Sequence, residues 1–155
     1  MLTQQTLVAR RPVGKRDEPL LRELFESTRD ELELLPADVR YVLIDMQFRA
    51  QRRHYAASYP SADHDVLVVD GAEVGRIVVD DSGPVLRIID ITVRRGYRGK
   101  HIATTVLTDL IAEAEQAERP TEVVVWTGNG AARRTCETLG FSVAFDEDGY
   151  LTMRR

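Results

Sequence analysis

Asp90-Ile91-Thr92-Val93-Arg94-Arg95-Gly96-Tyr97-Arg98-Gly99-Lys100-His101-Ile102-Ala103 is the stretch on which the reading of this chain turns. An apolar, β-branched run ends at Val93. A short basic turn with two glycines follows. Beyond it Ile102, Val106, Leu107, Leu110, Ile111 and Ala114 recur at helical spacing, which predicts an amphipathic helix from His101 to about Ala117, closed by Pro120. The first turn of a helix has unpaired backbone N–H groups and the positive end of the helix dipole. Gly99 lets a ligand approach the backbone closely. Arg94, Arg95, Arg98 and Lys100 add positive charge. By its chemistry the turn is an anion cradle.

Two familiar phosphate loops do not fit. A nucleoside-triphosphate loop needs two glycines separated by four residues and then Lys-Ser or Lys-Thr. Here only two residues separate Gly96 from Gly99, and His101 follows Lys100. The dinucleotide fingerprint G-x-G-x-x-G is absent.

Working outward, Val74–Asp80 and Val85–Val93 read as strands joined at Asp81-Ser82-Gly83-Pro84, and Asp65–Val69 precedes them across the Asp70-Gly71 turn. Upstream, Thr6–Arg11 reads as a strand. Asp17 is placed to cap a helix carrying Leu20, Leu21, Leu24 and Phe25. After Leu35-Pro36 a second helix runs to about Tyr59, and Val39, Val42, Leu43, Met46 and Ala50 mark its expected buried stripe. Downstream, Glu122–Thr127 is a buried-type strand with Trp126 in the core. Asn129–Leu139 is a helix ended by Gly140. Phe141–Phe145 and Tyr150–Met153 form a hairpin around Asp148-Gly149. The expected fold class is α/β (α+β): helices packed on a mixed, mostly antiparallel sheet, in one domain over residues 1–155.

The chain has 155 residues and a net charge of −4, with pI about 5.4, which disfavours a general nucleic-acid binder. No apolar run approaches the roughly 20 residues of a membrane span. The single cysteine, Cys136, precludes an intrachain disulfide and a cysteine zinc site, and it suits a reducing cytoplasm. His54, His64 and His101 lack metal-ligand spacing, so no metal is expected. The N-terminus does not read as a signal peptide.

The cradle resembles the acetyl-CoA signature of the GNAT superfamily of N-acetyltransferases. There a strand ending in Val leads a few residues later to Arg-Gly-x-Gly-x-Gly/Ala at a helix start; here Val93 precedes Arg98-Gly99-Lys100-His101-Ile102-Ala103. A second match, Asn129-Gly130-Ala131-Ala132-Arg133-Arg134-Thr135-Cys136-Glu137-Thr138-Leu139-Gly140-Phe141, resembles that superfamily's Asn-x-x-Ala-x-x-x-Tyr-x-x-x-Gly-Phe. The resemblance implies a sheet of about seven strands flanked by about four helices, splayed between the fourth and fifth strands. It implies acetyl-CoA as co-substrate. Ile91, Thr92 and Val93 would pair with the pantetheine arm, the amides of Arg98, Gly99, Lys100, His101, Ile102 and Ala103 would hold the pyrophosphate, and Asn129 would touch the arm. The implied activity is acetyl transfer to a primary amine of a small molecule or peptide by direct attack, in a monomer or homodimer. The alternative is an acyl-CoA-binding regulatory domain with weak or lost catalysis.

Two positions depart from the superfamily pattern. His101 stands where glycine is usual; a helical, negative φ there would accommodate a side chain. Cys136 stands where a tyrosine acid is frequent. It is a candidate acid, weighed against a small buried residue sharing a face with Ala132 and Leu139. Asp90, in an apolar strand, is a candidate base or one half of a salt bridge with Arg87 or another arginine. Glu31 and Glu33 fall where the superfamily builds its acceptor site. Tyr55 and Tyr59 would line the acceptor cleft, beside a basic face of Arg49, Arg52 and Arg53.

Overall fold

The computed structural model describes residues 7–155. Among them seven strands form one sheet: β1 (Ala9–Pro12), β2 (Asp63–Val69), β3 (Ala72–Asp80), β4 (Leu86–Val93), β5 (Thr121–Trp126), β6 (Ser142–Glu147) and β7 (Tyr150–Arg154). Their order is β1-β2-β3-β4-β5-β7-β6. All neighbours are antiparallel except β4 and β5. The helices are α1 (Glu18–Glu26), α2 (Ala37–Ser58), α3 (Ile102–Gln116) and α4 (Gly130–Thr138). This is the mostly antiparallel, helix-flanked sheet that the sequence predicts, and each predicted element within the described residues is present. Thr6, at the start of the predicted first strand, lies outside the described residues.

The alternation of strand side chains assigns the helices to faces. Leu67 joins the main core with Val106, Leu110 and Ala114 of α3 and Cys136 of α4, while its neighbour Val66 packs on Leu20 and Leu24 of α1. Thus α3 and α4 cover one face, and α1 with α2 cover part of the other. The six apolar residues predicted for α3 are all buried. Gly140, at φ 93°, follows the last turn of α4; the Phe141 N–H returns to the Cys136 carbonyl at 3.0 Å, and both side chains enter the core. That closure satisfies a carbonyl the helix would otherwise leave open.

Three expectations change. Asp17 occupies the N-cap of α1 without capping it. Its buried carboxylate instead accepts from the Gly14 N–H at 2.7 Å and from Arg11 at 2.9 and 2.8 Å, stapling the β1–α1 connection. On α2 the buried residues are Ile44 and Phe48, whereas Val39, Val42 and Met46 are exposed. The helix carries apolar residues at helical period on two faces, and α1 covers the one holding Phe48, whose ring meets Phe25 edge-on at 5.7 Å. Trp126, the last residue of β5, is 47% exposed instead of lying in the core.

Candidate functional site

The parallel pair β4–β5 is bonded over only three positions, Leu86↔Thr121, Arg87↔Glu122 and Ile88↔Val123. Among the described residues, β4 past Ile88 pairs only with β3, and Val124, Val125 and Trp126 pair only with β7. The strands diverge from that point. The β3–β4 register explains why: it passes from Val79↔Ile88 to Val78↔Asp90, leaving Ile89 as an extra residue. A bulge bends and twists its strand, so β4 turns away from β5 where pairing stops. The bulge also resets side-chain direction. Ile88 and Asp90 would share a face in a regular strand; here Ile88 and Ile91 belong to the α3-side core and Asp90 faces α2. The β5-facing edge of Ile91 to Val93 has no strand partner among the described residues.

The basic turn opens beside this gap. Arg95–Tyr97 makes a short 3-10 turn. Gly99 has φ 77° with nothing within 4 Å of where a Cβ would lie. The backbone N–H groups from Gly99 to Thr104 donate to no acceptor among the described residues, and the first return bond is Thr105 N–H to the His101 carbonyl at 2.9 Å. His101 has φ 60° and ψ 23° at the N-cap of α3. The expected helical, negative φ is therefore wrong: this backbone is left-handed, which accounts for the superfamily's glycine and imposes strain of roughly 1–2 kcal/mol on a residue with a Cβ.

The arginines divide their work. Arg94 pairs with Glu23 at 2.7 and 3.0 Å, and Arg95 with Asp30 at 2.8 Å and Glu33 at 2.9 Å. Both tie the turn to α1 and the segment after it, so Glu33 is an anchor for Arg95, and Glu31 is exposed. Arg98 donates to the Val93 carbonyl at 3.0 Å and to Ser27 Oγ at 3.1 Å. Lys100 lies 5.4 Å from the Tyr97 ring. Only Arg98 and Lys100 of the four cations have no acidic partner among the described residues. What the turn offers an anion is thus mainly main-chain N–H.

Asp90 is the hub of a polar cluster on the α2 side. Arg76 Nη2 donates to Asp90 Oδ2 at 2.5 Å, the Tyr55 hydroxyl reaches the same oxygen at 3.3 Å, and Thr92 Oγ1 donates to Oδ1 at 3.0 Å. Arg76 also donates to Gln51 at 2.6 Å, and its buried Nε has no partner among the described residues. Burial, with the Asp90 charge, pushes the Tyr55 hydroxyl well above the ordinary tyrosine range. Burial and the Arg76 charge lower His64, whose ring centroid lies 6.2 Å from that of Tyr55. Arg87, the other predicted partner for Asp90, instead holds Glu122 at 2.6 Å. Arg76 was missed in the sequence, although a lone arginine inside Val74–Asp80 is the same signal that singled out Asp90.

On the other side of the gap, the Trp126 indole rests against Gly128, where any Cβ would fall within 2.5 Å of the ring. Asn129 caps α4, its side-chain oxygen accepting from the Ala132 N–H at 3.1 Å. Cys136 is buried in the core, and burial pushes its thiol up to about 11. Tyr59 packs near His54 and Tyr55, with centroid distances of 6.2 and 6.5 Å. Among the described residues no group of three or more His, Cys, Asp or Glu is placed to hold a metal ion, and no helix is long and apolar enough to cross a membrane.

Solved structures of similar fold span nearly the same length. The PaiA N-acetyltransferase of Thermoplasma acidophilum, solved with coenzyme A, superposes with TM-score 0.69 at 14% identity, covering 96% of this chain and 98% of that one. An acetyltransferase of Thermus thermophilus gives TM-score 0.69 at 19% identity, covering 96% of each chain. The ribosomal-protein-S18-alanine N-acetyltransferase of Escherichia coli gives 0.62 at 16% identity, covering 96% and 92%. At these identities the likeness is one of fold. No curated protein matches the chain in sequence. Residues 21–141 match the sequence profile of the Acetyltransferase (GNAT) family. That span takes in the diverging strands, the amide-rich turn and the capped α4, and by it the chain belongs to the GNAT acetyltransferase family.

Proposed function

We propose that this protein is an N-acetyltransferase that moves an acetyl group from acetyl-CoA to a primary amine by direct attack. The observation that carries the reading is the conjunction of an unpaired β4 edge with a turn of unengaged amides at one end of a strand gap. The residues fit the co-substrate. The amides of Gly99, Lys100, His101, Ile102 and Ala103 are donors for a pyrophosphate, with Arg98 and Lys100 supplying positive charge. Ile91, Thr92 and Val93 offer a strand edge to the pantetheine amides. Asn129 keeps its NH2 group available at the far wall, since only its oxygen serves as cap.

In this reading the amine nitrogen forms a bond to the thioester carbonyl carbon. The C–S bond breaks, the electron pair leaves on sulfur, and the ammonium proton passes through water to Asp90, held beside the gap by Arg76 and Thr92. The second proton, shed by the nitrogen as the amide forms, passes through water to the thiolate. A thiol of reference pKa roughly 8.5 is a tolerable leaving group, and Cys136, raised and buried, serves as core. Trp126 and Tyr150, exposed on the uncovered half of the sheet, favour an amine carried on an apolar body.

Acetyl-CoA incubated with a panel of amines, including aromatic amines, polyamines and peptide N-termini, tests the proposal by free-thiol release and by the product mass. Acetylated product that vanishes in Asp90→Asn while circular dichroism and coenzyme A binding are retained supports it. Coenzyme A binding without product from any amine would instead favour the acyl-CoA-binding regulatory reading.

A further inference from the structure

Helix α2 has an apolar face that the described residues leave bare. Val39, Val42 and Met46 are 44%, 54% and 60% exposed, and exposed Ala50 continues the line. Their spacing places them on one side of the 22-residue helix, opposite Ile44 and Phe48. Leu34, just before the helix, is 96% exposed. An apolar stripe sustained at helical period is the pattern of a buried surface.

Charge identifies what covers it. Asp38 stands at one end of the stripe and Arg53 near the other; both are exposed, and neither has an ion-pair partner among the described residues. They are separated by about 22 Å along the helix. If a second α2 lies antiparallel across the first, with a two-fold axis beside Met46, each Asp38 comes opposite Arg53 of the partner subunit and the two Met46 side chains meet. The stripe is self-complementary in that orientation alone, since a parallel pairing would set like charges together.

We propose that the protein forms an isologous homodimer through this face of α2. The inference is independent of the acetyl-transfer reading. One helix stripe is a small interface, so the dimer dissociates on dilution. Sedimentation velocity over a concentration series is the test. Wild type should pass from monomer to dimer. Met46→Glu and Asp38→Arg, both at exposed positions, should keep their circular dichroism and each weaken dimerisation by about tenfold or more. The double exchange Asp38→Arg with Arg53→Asp should recover it. A wild type that stays monomeric up to about 100 μM, weaker than any specific interface of this kind needs, overturns the proposal. So does a dimer indifferent to both single substitutions, or a charge exchange that fails to restore association.

Discussion

Replacing Asp90 by Val should destabilise the protein more than replacing its partner Arg76 by Met, and both together should cost less than Asp90→Val alone. The two environments give the reason. Arg76 has a side chain only 6% exposed; without Asp90 its guanidinium keeps just the Gln51 oxygen, and its Nε already lacks an acceptor. A buried charge stripped of its counterion costs about 3–5 kcal/mol. For a chain of this size each kcal/mol lowers Tm by about 2–4 °C, so the loss is on the order of 10 °C. Asp90 without Arg76 is better placed: it is 17% exposed and retains Thr92 and Tyr55 as donors, which limits the cost to about 2 kcal/mol. In the double variant no charge remains, and two apolar side chains replace a pair whose desolvation had consumed much of its attraction. The coupling between the sites should therefore exceed the Arg76→Met cost of about 2 kcal/mol. Urea unfolding of the four proteins, with m unchanged across the set, measures it. Additive losses, or an Asp90→Val cost below about 1 kcal/mol, would refute the claim that this pair is buried and mutually dependent.

Three further outcomes are expected. The Arg11 guanidinium and the Gly14 N–H hold the Asp17 carboxyl far below the usual carboxylate range. A depressed folded value means that its stabilisation is complete above the unfolded pKa of roughly 4 and is lost as pH falls toward the folded value. Asp17→Asn should then lower stability at neutral pH and flatten the acid limb of the stability profile; an unchanged limb contradicts the assignment. Cys136, buried with its thiol raised to about 11, should react with a disulfide reagent only as the protein unfolds, and Cys136→Ala should leave kcat within about twofold. Fast labelling of the native protein, or a large loss of kcat, counts against its role as core. His101→Gly should relieve the left-handed backbone at φ 60° and raise stability by about 0.5–1 kcal/mol after the entropy of glycine in the unfolded chain is deducted. Thermal unfolding checks this, and a lower Tm refutes it.

Local chemistry made most of the architecture legible. The change from strand to helical period around Arg94–His101 located the turn of unengaged amides, and the Asn129 and Gly140 positions proved to be the two ends of α4. What escaped depends on contacts distant in sequence. Nothing in Ile88-Ile89-Asp90 announces a bulge, so the face of Asp90 and its pairing with Arg76 became visible only with the β3–β4 register. The period of α2 fits both Ile44–Phe48 and Val39–Met46, and which side the monomer buries is decided by where α1 lies. The charge of Arg94 and Arg95 was legible, whereas their commitment to Glu23, Asp30 and Glu33 was not. The φ of His101 follows from how the turn enters α3 and had no local signal beyond the missing glycine.

In the proposed complex, main-chain nitrogen after Val93 receives the pyrophosphate while the edge of β4 receives the pantetheine arm. Titration of ¹⁵N-labelled protein with coenzyme A addresses this directly by amide chemical shifts. Saturable shifts should concentrate at Gly99 to Ala103 and at Ile91 to Val93, with those of β1 and β2 nearly still. Binding that leaves the Gly99–Ala103 amides unmoved, or no binding at all, would contradict it.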